Sequence, residues 1–192
     1  MSSRHLVDPE LIPIIDNIPD MSVSAEKLAA ARATIVELTK QQLADADTSV
    51  GVTEHVAQGR DGAPQVRVLL YRPPNLEANA PVLLQIHGGG FLFGTAELGD
   101  PRNRALAKAI GCAIVSTDYR LAPESIYPAA LEDVYAALTW VYERGPALGL
   151  DPRRIAVRGD SAGGGLAAAL AMLARDRGGP PILFQLDRTS VV

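Results

Sequence analysis

The chain has 192 residues, 47% of them apolar, with 18 basic and 22 acidic side chains and a formal net charge of −4. That length fits one domain, with or without a small appendage, and buries roughly 70% of its unfolded surface, a real core without disulfides. The single cysteine, Cys112, excludes a disulfide framework or thiolate metal cage, the mild mixed charge disfavours nucleic-acid or anionic-membrane binding, and no apolar run nears the ~20 residues of a membrane span.

Residues 1–22 contain Pro9, Pro13 and Pro19 without a sustained period and read as an irregular arm. They lack the cationic head and unbroken apolar stretch of a signal peptide, so the expected location is cytoplasmic. Ser24 then suits a helix N-cap, and Leu28, Ala31, Ile35 and Leu38 follow at helical steps, one face of an amphipathic helix over 24–43. It precedes everything strand-like, which makes it a candidate cap. The organisation expected is an arm and cap helix over 1–48, then an α/β domain over 49–192.

Val50, Val52 and Val56 alternate with polar residues, Gln65 to Tyr71 repeats the habit, and Gly59-Arg60-Asp61-Gly62 between them is hairpin material. Short apolar runs follow at 82–86, 113–117, 154–158 and 182–186. Helical stretches separate them: one from about Arg102 ending at Gly111, one from Pro128 to Gly145 with Leu131, Val134, Tyr135, Leu138, Val141 and Tyr142 on its apolar face, and one over 162–175. Strands that are apolar on both sides and alternate with helices indicate a mostly parallel sheet covered on both faces, here opened by an antiparallel pair.

Two segments carry candidate chemistry. Gly159-Asp160-Ser161-Ala162-Gly163 is a G-x-S-x-G between a strand and a helix. Small neighbours let a strained turn lift a serine hydroxyl above the sheet, at the positive end of the following helix. The other reading is a glycine-rich turn with a capping serine. His87-Gly88-Gly89-Gly90 follows a strand directly, and three glycines there imply a need for bare backbone, such as amides turned toward an oxyanion. A flexible loop or phosphate cradle is the rival, although no P-loop lysine or dinucleotide fingerprint is present. His87 reads as a brace for that loop. Cys112 reads as a small buried apolar residue.

With Asp118-Tyr119-Arg120-Leu121-Ala122-Pro123-Glu124 and Pro128-Ala129-Ala130-Leu131-Glu132-Asp133 between them, these motifs resemble, in order, the hormone-sensitive-lipase-like carboxylesterases of the α/β-hydrolase fold. The resemblance covers roughly residues 25–186. It implies that Ser161 is the acyl-accepting nucleophile, that the amides of Gly89, Gly90 and Ala162 form an oxyanion hole with Gly88 shaping the loop, and that the substrate is a small acyl ester. Neither metal nor organic cofactor is implied. His87, Asp118, Arg120, Glu124 and Asp160 would hold geometry, and Phe91, Leu92 and Phe93 would lie near the floor of an acyl pocket beneath the cap. Gly165 stands where the family commonly has Asn.

That family orders its triad as Ser, acid, His, yet Asp176 and Asp187 are the only aspartates after Ser161 and no histidine follows it. Asp176 reads as a surface ion-pair partner, and His5 and His55 lie upstream. The expectation is therefore the N-terminal part of an esterase with an incomplete triad. A non-catalytic fragment and a small-molecule-binding protein on the same scaffold, as in the gibberellin-receptor-like proteins, are the alternatives. Its sixth strand would form an unpaired apolar edge, a surface for self-association.

Overall fold

The computed structural model describes residues 3–16 and 24–188. It opens with two 3-10 turns, Ser3–Leu6 and Pro9–Leu11, and a short helix, α1 (Ile12–Asp16). The expected irregular arm is thus regular where described: Pro9 starts a turn that the Asp8 carboxylate caps, and Arg4 pairs with Asp16. The rest of that reading, residues 1–2 and 17–22, lies outside the described residues.

Helix α2 (Ala25–Ala44) starts where the Lys27 amide donates to the Ser24 hydroxyl at 3.3 Å. Leu28 and Thr39 are its buried positions, whereas Leu38, expected on that face, is 53% exposed. Thr39 can replace an apolar residue because its hydroxyl donates to the Ile35 carbonyl, leaving no bare donor in the contact.

Six strands form one sheet: β1 (Gly51–Ala57), β2 (Val66–Arg72), β3 (Ala80–Ile86), β4 (Ala113–Asp118), β5 (Leu150–Asp160) and β6 (Phe184–Arg188). Their order is β1-β2-β4-β3-β5-β6. β1, β2 and β4 pair antiparallel, and β4, β3, β5 and β6 pair parallel. Between them run α3 (Asp100–Ile110), α4 (Ala129–Arg144) and α5 (Ala162–Asp176). Gly111 ends α3 in the left-handed region at φ 70°, as only a residue without Cβ does cheaply. The β1–β2 connection is a turn over Arg60–Gly62.

The parallel strands are apolar on both sides because helices cover both. One face packs Val68, Leu84, Val115 and Val157 against Val134, Leu138 and Leu170 of α4 and α5. On the other, Leu69, Tyr71 and Ile114 meet Ala107 of α3 and the buried Cys112, whose thiol pKa is raised by burial. Three positions differ from the expected pattern. Val56 and Tyr142 are exposed, the first on an edge strand and the second on the last turn of α4, while Trp140 takes a buried place there. The sixth strand runs two residues later than expected, over Phe184–Arg188. Pro180 and Pro181 cannot donate to a ladder, and pairing starts only when the Leu183 amide reaches the Ile155 carbonyl. Asp187 and Arg188, beyond the expected end of the strand at 186, pair with Gly159 and Asp160. Leu183 and Phe184 are 69% and 61% exposed. Among the described residues no helix is long and apolar enough to cross a membrane.

Candidate active site

The site lies where β5 ends and α5 begins. Gly159 and Gly163 are required by close approach: a Cβ on Gly159 would collide with the Gly163 backbone, and one on Gly163 with the carbonyls of Ile86 and His87. The chain between them turns so sharply that Ser161 adopts φ 52°, ψ −119°, a conformation that costs a non-glycine residue about 1–3 kcal/mol. Although Ser161 is the N-cap position of α5, its side chain makes no capping bond. The residue is exposed. The geometry therefore removes the capping-serine reading: the strained turn leaves the Ser161 hydroxyl exposed and without a capping bond.

The glycine triplet sits against this corner. A Cβ built on Gly88 would lie 2.7 Å from the Asp160 carbonyl oxygen and 3.4 Å from Ser161 Cβ, so only glycine lets the loop approach this far. Gly89 and Gly90 take φ 122° and 61°, which turns the loop back until the amides of Leu92 and Phe93 bond to the Gly89 carbonyl. Among the described residues no backbone or side-chain acceptor takes the amides of Gly89, Gly90 or Ala162. Free amides beside an exposed hydroxyl are suited to a developing oxyanion.

His87 is buried, stacked on the Tyr119 ring at 4.2 Å between centroids. Its Nδ1–H donates to the Gly88 carbonyl at 2.7 Å, which leaves Nε2 unprotonated in the neutral ring and without a partner. Burial holds its pKa below the ordinary value of 6.5, because a buried imidazolium would lose its hydration. The Tyr119 hydroxyl donates to the His87 carbonyl at 2.9 Å, a brace the sequence reading did not single out.

The remaining carboxylates are engaged elsewhere. Asp160 accepts from Arg102 at 2.6 Å, Arg158 at 2.9 Å and Gln85 at 3.2 Å. Asp118 accepts from the Ala96 amide at 3.1 Å and from Arg67 at 3.3 Å. Arg120 and Asp133 form a bidentate pair, with Asp133 almost fully buried. Glu124 pairs with Arg32 of α2 at 2.7 Å, whose guanidinium holds that carboxyl below its usual range. Asp176 pairs with its neighbour Arg175 on the surface. Arg158 is the surprise: it is buried in β5, donates to Gln85 at 2.6 Å, and its pKa is lowered by burial and by the nearby Arg102 charge.

His5 lies in the first 3-10 turn. His55, in β1, packs at a tilt against Trp140 of α4, four strand positions from β5, or about 19 Å at ordinary strand spacing. It does not stand at Ser161. The Ser161 amide itself donates to the Arg188 carbonyl of β6 at 2.7 Å.

An apolar cavity of about 510 Å³ opens beside α5, lined by Phe91, Ile126, Tyr127, Leu131, Leu166 and Ala169 among others. Of the three residues expected on its floor, only Phe91 lines it. Leu92 instead presents its carbonyl to Arg32, and Phe93 lies outside the lining. Nor does α2 roof the cavity. It reaches the site through Arg32, which bonds to the carbonyls of Leu92 and Ala122 as well as Glu124, and through Gln42, which lines a second cavity with His87, Gly88, Gly89 and Asp160.

The elbow, the glycine loop and the sheet order are those of an α/β-hydrolase. The chain belongs to the α/β-hydrolase fold family, which it matches over residues 83–188. It is 43% identical over 185 residues to the carboxylesterase NlhH of Mycobacterium tuberculosis, covering 96% of this chain and 57% of that protein. It is 42% identical over 185 residues to the esterase LipI of the same organism, covering 95% and 56%. A solved structure titled "Bacterial Heroin Esterase" superposes with a TM-score of 0.81 at 43% identity, over 96% of this chain and 58% of that one. The chain thus spans a little over half the length of these relatives.

Proposed function

We propose that this chain carries the nucleophile and oxyanion half of a serine carboxylesterase acting on small acyl esters. Ser161 Oγ bonds to the ester carbonyl carbon, and the carbonyl oxygen becomes an oxyanion held by the amides of Gly89, Gly90 and Ala162. The C–O bond to the alcohol then breaks, with the alcohol taking the proton that Oγ releases, and water later removes the acyl group. Each preorganised donor contributes about 3–4 kcal/mol to the barrier reduction. Gly88 sets the approach of loop to elbow, while His87, Asp118, Glu124 and Asp160 hold the surrounding backbone. The observation that carries the reading is the uncapped Ser161 hydroxyl at φ 52° beside free glycine amides.

The Oγ proton needs an acceptor, and His55, out on β1 against Trp140, is not placed to be one. This favours a second reading, a small-molecule-binding protein on the esterase scaffold. The two separate in one experiment. A fluorophosphonate forms an Oγ–P bond with loss of fluoride, and we expect it to label Ser161 in the folded protein but neither the urea-unfolded chain nor Ser161→Ala. Hydrolysis of p-nitrophenyl butyrate lost in Ser161→Ala completes the test. Absence of labelling, with equal hydrolysis by both proteins, overturns the catalytic reading.

A further inference from the structure

Two neighbouring glycines of α5 differ in a way that the fold alone does not explain. Gly163 is obligatory, because a side chain there would strike β3's end. Gly165 is helical, exposed, and has nothing within 4 Å of the position its Cβ would take. A glycine inside a helix costs about 1 kcal/mol relative to alanine, and packing supplies no reason to keep one here.

Its surroundings supply a different reason. The Gly165 amide donates to the Ser161 carbonyl at 3.2 Å, so Gly165 lies one turn beyond Ser161 on the same side of the helix. Gly165 lines the apolar cavity, as do Leu166 and Ala169, whereas Ser161 does not. Along α5, the way from Ser161 to the cavity residue Ala169 passes over Gly165. Helical Cα–Cβ bonds tilt toward the N-terminus, so any side chain at 165 would lean into that passage.

We propose that Gly165 is a specificity-determining residue: the missing side chain is the doorway through which a straight acyl chain passes from Ser161 into the cavity. This rests on the acyl-Ser161 reading above. From Ser161 to Ala169 is eight residues of helix, about 12 Å, which takes an extended acyl chain of about eight or nine carbons at roughly 1.3 Å per bond. The walls suit such a chain. Phe91, Leu131 and Leu166 are apolar, and the one cation in the lining, Arg120, is already bound to Asp133.

The test uses calorimetry of octanoate binding together with labelling by ethyl and octyl fluorophosphonates, on the native protein, Gly165→Leu and Gly165→Ala. Octanoate affinity should fall by at least about tenfold in Gly165→Leu, with a smaller fall in Gly165→Ala. The alanine variant keeps the helix and makes the result readable if the leucine variant does not fold. The ratio of octyl to ethyl labelling rates should fall in parallel. Octanoate binding that is absent, or equal in all three proteins, overturns the doorway. Octanoate binding that responds to residue 165 without any labelling of Ser161 counts against the serine chemistry alone.

Discussion

Replacing Asp133 by asparagine perturbs the best-defined tie between the segment after β4 and helix α4. The buried carboxylate accepts from the Arg120 amide at 2.8 Å, from Nε at 2.8 Å and from the second guanidinium nitrogen at 2.7 Å. Asparagine has nearly the same shape, so little packing changes. Its single oxygen can still take the amide and Nε, but its NH₂ then faces a guanidinium N–H, donor against donor. Hydrogen bonds to charged groups contribute about 1.5–3 kcal/mol each, and a buried donor left unmatched adds to the loss. Against this, the Arg120 side chain is 32% exposed and recovers some hydration. The expected destabilisation is about 2–3 kcal/mol, or a fall in Tm of about 4–12 °C for a domain of this size. Urea unfolding followed by circular dichroism measures it, and an unchanged m-value shows that the denatured state is not what moved. An Asp133→Asn protein within 0.5 kcal/mol of the native one would refute the argument, because that is the range of a bland surface change.

Ser161→Gly should stabilise the protein by about 1 kcal/mol, since relief of the positive-φ strain outweighs the added chain entropy of glycine; urea midpoints lower than native would contradict this. His87 makes stability pH-dependent in a definite direction. Its folded pKa lies below 6.5, so the unfolded chain binds the proton first. Stability is complete above pH 6.5 and declines as pH falls, by at most about 1.4 kcal/mol per unit, and a flat urea midpoint between pH 7 and 5.5 would rule it out. Arg32→Ala removes the bonds from α2 to Leu92, Ala122 and Glu124. Hydrogen exchange across 25–44 should rise more than tenfold with global stability changed by less than about 1 kcal/mol, and unaltered protection would show that α2 is held by other contacts.

The parts of this molecule legible in the sequence are those fixed by local rules. Alternation and helical spacing placed nine of its strands and helices, because burial on one or two faces leaves a period, and the glycines around Ser161 declared a corner because no other residue fits it. The carboxylate ties of Asp118, Arg120 and Glu124 were expected in kind, but their partners Arg67, Asp133 and Arg32 lie at separations no pattern encodes. Arg158 was read simply as the end of a strand. A charge inside an apolar run was the available signal for the Gln85–Asp160–Arg102 cluster it joins. The sixth strand slipped by two residues because its register is set by Ile155 and Gly159 across the sheet, not by its own composition. Helix α2 is expected to act as a cap from its place before the strands and from the resemblance, and its amphipathic stripe says which side is buried without saying against what.

One hydrogen bond links two places that would otherwise be unrelated. The Ser161 amide is held by the carbonyl of Arg188, at the outermost strand. The Ser161 corner is thus tied to β6, the last strand in the order of the described sheet, so that the position of the serine backbone depends on that strand's pairing as well as on the elbow. The poise of the hydroxyl is in this sense a property of the border as much as of the elbow.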